Sequence, residues 1–321
     1  MIAAVKAPRG PIAYLRRRWR ERDLVTINVP TYNAAGFIAE TLQSIADQTY
    51  RNIKVVISLD PSTDDTEAVC RPFLADSRFS LIRQETRLGW PGNVNFLLDQ
   101  VRSEYFCIIC HDDLIEPDYV ARLMRHMRRS SATVCAYPVV ERFGDAVSTA
   151  SIEGIEHDDR FERARQFLAR PLHAVPLRGL TRTDVVHKGL RLHELGTGGF
   201  LAEMLYVFEL ALLGNCKRVG GAVYRSRYRA DSVSRGWRGW SDERKRAGWR
   251  SLLQAARAVL ARDFTAPQQV ALLDAMLLWA YQLPGWLPAS ADERMAIADA
   301  DRRAALARAW AEDPEGKPPF L

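Results

Sequence analysis

The chain has 321 residues, 47% hydrophobic and 26% charged, with 45 basic against 39 acidic side chains and a formal net charge of +6. These values belong to a folded globular chain rather than a disordered or fibrous one, and no apolar run reaches the roughly 18–20 residues that cross a bilayer. A positive balance suits nucleic acid, an anionic membrane face or a phosphate-bearing ligand, and does not choose among them.

The first residues, MIAAVKAPRGPIAYLRRRWRER, do not read as a secretory signal, because the basic cluster follows the short apolar stretch and proline and glycine interrupt it. Residues 1–23 are read as a basic extension. From residue 24 two hydrophobic periods alternate. LVTINVP (24–30) is a β-rich run, after which Phe37, Ile38, Thr41, Leu42 and Ile45 recur at helical spacing. NIKVVISLD (52–60) is again a short buried strand, followed by a PSTDD turn in which Thr63 or Asp64 is placed to cap the next helix. Strands are then predicted over 79–82, 104–110 and 133–140, with helices over 91–101 and 117–129. Near-continuous apolar strands alternating with helices predict a parallel sheet covered on both faces. Such sheets bind ligands at the carboxyl ends of their strands, where this chain carries Thr31-Tyr32-Asn33, Asp60 and Asp112-Asp113.

Residues 141–200 are less regular. LAEMLYVFELALL (201–213) predicts a largely buried helix ended by Gly214, and KRVGGAVYRSRYR returns to strand character. Beyond a boundary near 236–239 the sequence is helix-like and rich in Ala, Leu and Arg, closing in a PEGKPPF tail expected to fray. Five cysteines (Cys70, Cys107, Cys110, Cys135 and Cys216) make no disulfide framework in a chain of this length. Cys107 and Cys110 form a C-x-x-C, but within an apolar run and with no second metal-spaced pair, so packing is the simpler account. A reducing cytoplasm is the simplest setting.

The informative constellation is acidic. Asp112 and Asp113, with His111 beside them, follow a buried strand in CHDDLIEP. Carboxylates at a strand end beside a diphosphate are what Mg²⁺ or Mn²⁺ needs, the cation completing its shell with phosphate oxygens and water. The competing account has both aspartates merely capping the next helix.

Together these segments resemble the large inverting glycosyltransferase family 2, with its GT-A nucleotide-sugar-binding fold: a mostly parallel α/β sheet flanked by helices, here with a C-terminal helical extension. The resemblance covers about 24–235. VTINVPTYNAAGFIAETLQSIADQTYRNIKVVISLDPSTDDT is similar to the family's opening block, in which a strand ends in P-x-Y-N and a second strand ends in D-D-G-S-x-D-x-T. By carry-over Pro30, Thr31, Tyr32 and Asn33 face the donor's nucleoside, and Asp60 bonds base or ribose, although Leu59 and Pro61 depart from the turn's first aspartate and its glycine. RLGWPGNVNFLL is similar to N-x-G-x-x-x-A-R-N-x-G, matching at Gly89 and Asn95, with Arg87 and Val94 as departures. CHDDLIEP resembles D-x-D-D-x-x-x-P. That puts His111, Asp112 and Asp113 at the nucleotide sugar and makes Asp112 the contact for Mn²⁺ or Mg²⁺, with Cys110 at the family's first aspartate.

GFLAEMLYVFELALLG resembles E-D-x-x-L-x-x-x-L-x-x-x-G, so that Glu203 stands at the catalytic aspartate and Ala202 at its acidic neighbour. Glu209, six positions on, is its rival but points to a different face. YRSRYRADSVSR is similar to Y-R-x-R-x-H-x-x-S-x-S, with Arg229 in place of the histidine near the diphosphate. An arginine there implies leaving-group stabilisation with weaker metal dependence.

The implied activity is transfer of a sugar from a nucleoside diphosphate, UDP favoured, to an acceptor hydroxyl, with Glu203 as general base. The implied division gives 24–140 to the nucleotide sugar, 141–236 to acceptor and catalysis, including Arg178 and the Gly196-Thr197-Gly198-Gly199 run, and 237–321 to helices. Bacterial polysaccharide, glycolipid or other glycoconjugate synthesis is the expected setting, in the cytoplasm. A lipid-linked acceptor fits peripheral attachment at the inner membrane face. Trp237, Trp240 and Trp249 among arginines fit a membrane surface, core packing or a homodimer contact alike. The alternatives are a GT-A nucleotide-binding domain that has lost catalysis, a nucleotidyltransferase, and a nucleic-acid binder. Neither G-x-x-x-x-G-K-[ST] nor G-x-G-x-x-G occurs, and no nucleic-acid motif accompanies the basic clusters.

Overall fold

The computed structural model describes residues 23–321 except 151, 171–173, 197, 230–232, 282–286 and 314–316. The basic extension therefore lies outside the described residues apart from Asp23, as does Thr197 of the glycine run. In chain order the first half holds β1 (Val25–Thr31), α1 (Ile38–Ala46), β2 (Ile53–Leu59), α2 (Thr66–Cys70), β3 (Phe79–Arg83), α3 (Gly89–Gln100), β4 (Tyr105–Ile108), β5 (Leu114–Ile115) and α4 (Tyr119–Met127). Then come β6 (Thr133–Gly144), β7 (Ser148–Ala150), α5 (Arg160–Leu168), a 3₁₀ turn (Val175–Arg178), β8 (Leu180–Arg182), α6 (Asp184–His187), α7 (Ala202–Leu213) and β9 (Asn215–Tyr228). The helices α8 (Val233–Arg238), α9 (Asp242–Asp263), α10 (Ala266–Tyr281), α11 (Ala291–Ala298) and α12 (Ala300–Glu312) complete the chain.

The sheet order is β3-β2-β1-β4-β8-β6-β9-β5, with β7 on β6. Its first half is the expected parallel sheet. All seven residues of β1 are buried, because parallel neighbours flank it on both sides and helices cover both faces. Helix α1 lays Ile38, Thr41, Leu42 and Ile45 on that core, the spacing of one helical face. The second half supplies the antiparallel pairs of a mostly parallel sheet. Strand β8 runs antiparallel to both β4 and β6, and β5 antiparallel to β9, while β6 and β9 run parallel. The β6–β9 register shifts between Tyr137 and Val139. Pro138 has no N–H to give the ladder there, and β9 takes up the slack around Gly221, whose φ is 83°.

Three local expectations change. The residue preceding α2 is Asp65 rather than Thr63 or Asp64, although the Asp64 carboxylate still accepts from the Thr66 amide. Asp112 and Asp113 do not cap a helix, since Asp118 precedes α4 and β5 intervenes. The last residues are pinned rather than frayed: Arg246 donates to the Phe320 carbonyl, Tyr281 to that of Pro319, and Phe320 meets the Tyr281 ring edge-on.

The C-terminal helices share the hydrophobic core with the sheet domain. Trp249 is fully buried and Trp237 nearly so, and both pack with Trp240 around Phe200. Trp237 and Trp249 thus serve packing, and Trp240 is partly buried against the same core. Among the described residues no helix is long and apolar enough to cross a membrane. Helix α7 ends on a buried arginine from α5: Arg163 donates to the carbonyls of Ala211 and Leu212, and also to His157 and Asp158. These satisfy carbonyls the helix end leaves unpaired and set a cation at its negative pole. Arg163→Met should keep the apolar stem, strand those carbonyls and lower unfolding stability by roughly 2–3 kcal/mol. Denaturant titration measures it, and an unchanged midpoint would contradict this role.

Candidate active site

The parallel half ends at one edge in turns that tie to each other. Asn33, in the left-handed region at φ 44°, a conformation its short polar side chain tolerates, accepts from the Thr63 amide, and its own N–H donates to Ser62. The Asp60 carboxylate, 1% exposed, accepts from the amides of Leu88 and Gly89 at 3.2 and 3.0 Å. It therefore holds the start of α3 against the end of β2. Above this turn the Arg87 guanidinium lies 3.9 Å from the centre of the Tyr32 ring, a cation–π stack at the cleft wall.

Beyond β4 the chain turns through Cys110 to Asp113. His111 directs Nδ1 at the Pro30 carbonyl, 3.3 Å away. A carbonyl only accepts, so Nδ1 carries the proton. Burial lowers the His111 pKa, which keeps the ring neutral. Asp113 is buried and accepts from Tyr224 Oη at 2.8 Å and the Arg227 amide at 2.7 Å. Arg178 stands 3.9 Å from the same carboxylate and over the Tyr224 ring. Burial pushes the Asp113 carboxyl up to about 6, while Arg178 pulls it down.

On the opposite wall Glu203 sits in the first turn of α7, which follows Leu201 in left-handed backbone (φ 53°) and the buried Phe200. That conformation is strained for a branched residue. The Glu203 Oε2 is buried without a hydrogen-bond partner among the described residues. Burial raises its carboxyl to about 7, opposed by its own backbone amide and by Arg178. Glu209 faces elsewhere, bonded to His193 at 2.7 Å and near Arg262.

Pro30, Thr31, Tyr32, Asp60, Gly89, His111, Asp112, Asp113, Glu203 and Arg229 all line one cleft of about 380 Å³. Two expected residues do not. Asn33 is spent on the Thr63 turn, and Asn95 exchanges two hydrogen bonds with the Leu192 backbone. Trp90, Arg142 and Arg227 line the cleft without having been singled out in the sequence. Arg142 carries no motif signal, whereas Trp90 sits at an unspecified position of the RLGWPGNVNFLL block and Arg227 within the YRSRYR segment.

A divalent cation at Asp112 meets a poor donor set. Cys110 offers a soft, half-buried thiol where a hard cation wants oxygen. Both oxygens of Asp113 are already hydrogen-bonded, and Asp112 Oδ2 faces Arg229 Nη1 at 3.4 Å. Among the described residues no three His, Cys, Asp or Glu side chains gather as a metal site. The residues present do not fit the ion on their own.

The sequence model of glycosyl transferase family 2 matches residues 26–188, just over half of the chain. Glycosyltransferase GlyG of Streptococcus pneumoniae is 28% identical over 113 residues, 35% of this chain and 38% of that protein. The GalNAc(5)-diNAcBac-PP-undecaprenol beta-1,3-glucosyltransferase of Campylobacter jejuni is 26% identical over 148 residues, 46% of this chain and 48% of that one. The match thus spans less than half the length of either relative. In fold the chain is similar to S. aureus TarS 1–349 in complex with UDP-GlcNAc, at TM-score 0.56 and 15% identity over 90% of both chains. It is also similar to mannosyltransferase PcManGT of Pyrobaculum calidifontis in complex with GDP-Man and Mn²⁺, at TM-score 0.51 and 18% identity over 94% and 95% of the two chains. With the family model running from β1 through β8 and these neighbours similar over nearly the whole chain, the chain belongs to glycosyl transferase family 2 and has the GT-A fold.

Proposed function

We propose that this chain transfers a glycosyl group from a nucleoside diphosphate sugar to an acceptor hydroxyl, with inversion at the anomeric carbon. The observation that carries this reading is Glu203, whose Oε2 is buried without a hydrogen-bond partner among the described residues, in the same cleft as the strand ends of β1 and β2. Residues 24–140 hold the nucleotide sugar, 141–236 supply the base and the acceptor wall, and 237–321 brace that wall through the Phe200 cluster. The UDP-GlcNAc complex of TarS supports a UDP-sugar donor. The undecaprenol-diphosphate-linked acceptor of the Campylobacter relative supports a polyprenyl-diphosphate-linked acceptor here, which favours action at the cytoplasmic face of a membrane in glycoconjugate assembly.

The acceptor hydroxyl donates to Glu203 Oε2 and loses its proton there as its oxygen attacks the anomeric carbon. The bond from that carbon to the diphosphate oxygen breaks on the opposite side, and the nucleoside diphosphate leaves with the bonding pair. Attack and departure on opposite faces invert the centre without an enzyme nucleophile. Cations lining the cleft stabilise the departing charge, and the excluded water strengthens that attraction.

Glu203→Gln keeps the shape and removes the basic lone pair, so kcat should fall by roughly 10²–10⁴ with donor affinity nearly unchanged. Full turnover in that variant would sink the assignment. Glu203 works only when ionised, so kcat/KM should climb with pH through a midpoint near 7, and the climb should vanish in the glutamine variant. The stability sign is opposite. With the folded carboxyl raised above its ordinary 4.5, its contribution is complete below that value and is lost as pH rises through about 7. The anomeric configuration of the product, read by NMR, should be opposite to that of the donor; retention would exclude this mechanism.

A further inference from the structure

We propose that Arg229, rather than a divalent cation, holds the donor's diphosphate. The inference rests on the glycosyl-transfer reading of the cleft. Asp112 is the acidic side chain at the chain turn that Asp113's bonding leaves available, and Arg229 already stands against it, Nη1 to Oδ2 at 3.4 Å. The pair is built into the cleft wall rather than laid on its surface. The Arg229 side chain is 20% exposed and that of Asp112 17%.

The Arg229 guanidinium packs 4.2 Å from the centre of the Phe37 ring, and Arg227 shares that ring at 5.3 Å. Arg227 is itself braced, donating to the Asp112 carbonyl at 3.0 Å and to Glu40 at 2.9 Å. Two guanidinium groups thus share one aromatic platform, and both residues line the cleft.

Chemistry favours the arginine over a metal here. A planar guanidinium matches two phosphate oxygens in a fork and stays charged at any working pH. A Mn²⁺ or Mg²⁺ ion on Asp112 would have to displace Arg229 or sit beside it, where like charges repel. With Asp112 as its one protein carboxylate at this turn, it would also depend on water and the diphosphate for nearly all its ligands. An entering diphosphate needs neither change. It accepts from Arg229, while Asp112 continues to orient the guanidinium.

The test is isothermal titration of the full chain with UDP and with GDP, once in EDTA and once in Mn²⁺. The preferred nucleotide should bind the wild type with dissociation constants agreeing within about threefold in the two media. Arg229→Ala should weaken binding in EDTA by about tenfold or more, and Mn²⁺ should recover much of the loss, because Asp112 is then released to ligate it. Arg229→Lys keeps the charge without the fork and should fall between. Asp112→Asn is the opposing variant: its amide oxygen still accepts from Arg229 and keeps the guanidinium oriented while the negative charge is removed, so it should bind as tightly as the wild type or tighter. Wild-type binding that vanishes in EDTA, together with its loss in Asp112→Asn, would overturn the proposal and restore the metal at Asp112 while leaving glycosyl transfer intact. No binding of either nucleotide in either medium, by a chain whose circular dichroism is that of a folded protein, would overturn the transfer reading and this inference with it.

Discussion

The carboxylate of Asp113 is buried at the end of β4, and the cleft is assembled around it. It accepts the Tyr224 hydroxyl and the Arg227 amide, and so stitches the parallel half of the sheet to the last strand of the mixed half. Burying a carboxylate costs several kcal/mol unless hydrogen bonds and a nearby charge offset it; here Tyr224, the Arg227 amide and Arg178 provide both. Everything beside it inherits its position. Asp112 is turned outward because Asp113 is turned in, and Arg227 and Arg229 reach the cleft because β9 is held at that point.

The two walls differ in their physics. The nucleotide wall is backbone-rich and rigid: Asp60 grips the amides at the head of α3, and Asn33 closes the turn beside it. The catalytic wall is an apolar seat for one acid. Phe200 fills the space at Gly248, where a Cβ would come within 2.6 Å of its ring, and tryptophans of α8 and α9 complete the packing. That seat is the reason Glu203 has a raised proton affinity, as a base working near neutral pH requires. The C-terminal helices thereby support the catalytic wall, and Trp237 of α8 lines the cleft itself.

Much of this was legible in the sequence because it rests on short-range pattern. The continuous apolar runs of β1 and β2 and the helical spacing of α1 each carry their own signal, and the strand-end motifs follow from them. What escaped depends on distant partners. The antiparallel course of β8 is decided by its neighbours, since three residues hold too little pattern to declare a direction. Asn95 matched a motif, yet the structure spends its amide on Leu192, a residue 97 positions away whose approach no local rule foretells. Arg142 comes to the cleft from β6, where its partner across the ladder is Ser226 of β9, more than eighty positions away. Trp237 and Trp249 looked equally suited to a membrane until Phe200 was found between them.

The account stands or falls on where a nucleotide lies in this cleft. A crystal structure of the chain with UDP addresses it most directly. The account predicts the base beside Tyr32 and Arg87, the diphosphate against Arg229, and Glu203 left open toward the acceptor side. A nucleotide bound outside the cleft, or a diphosphate seated against Glu203, would contradict it.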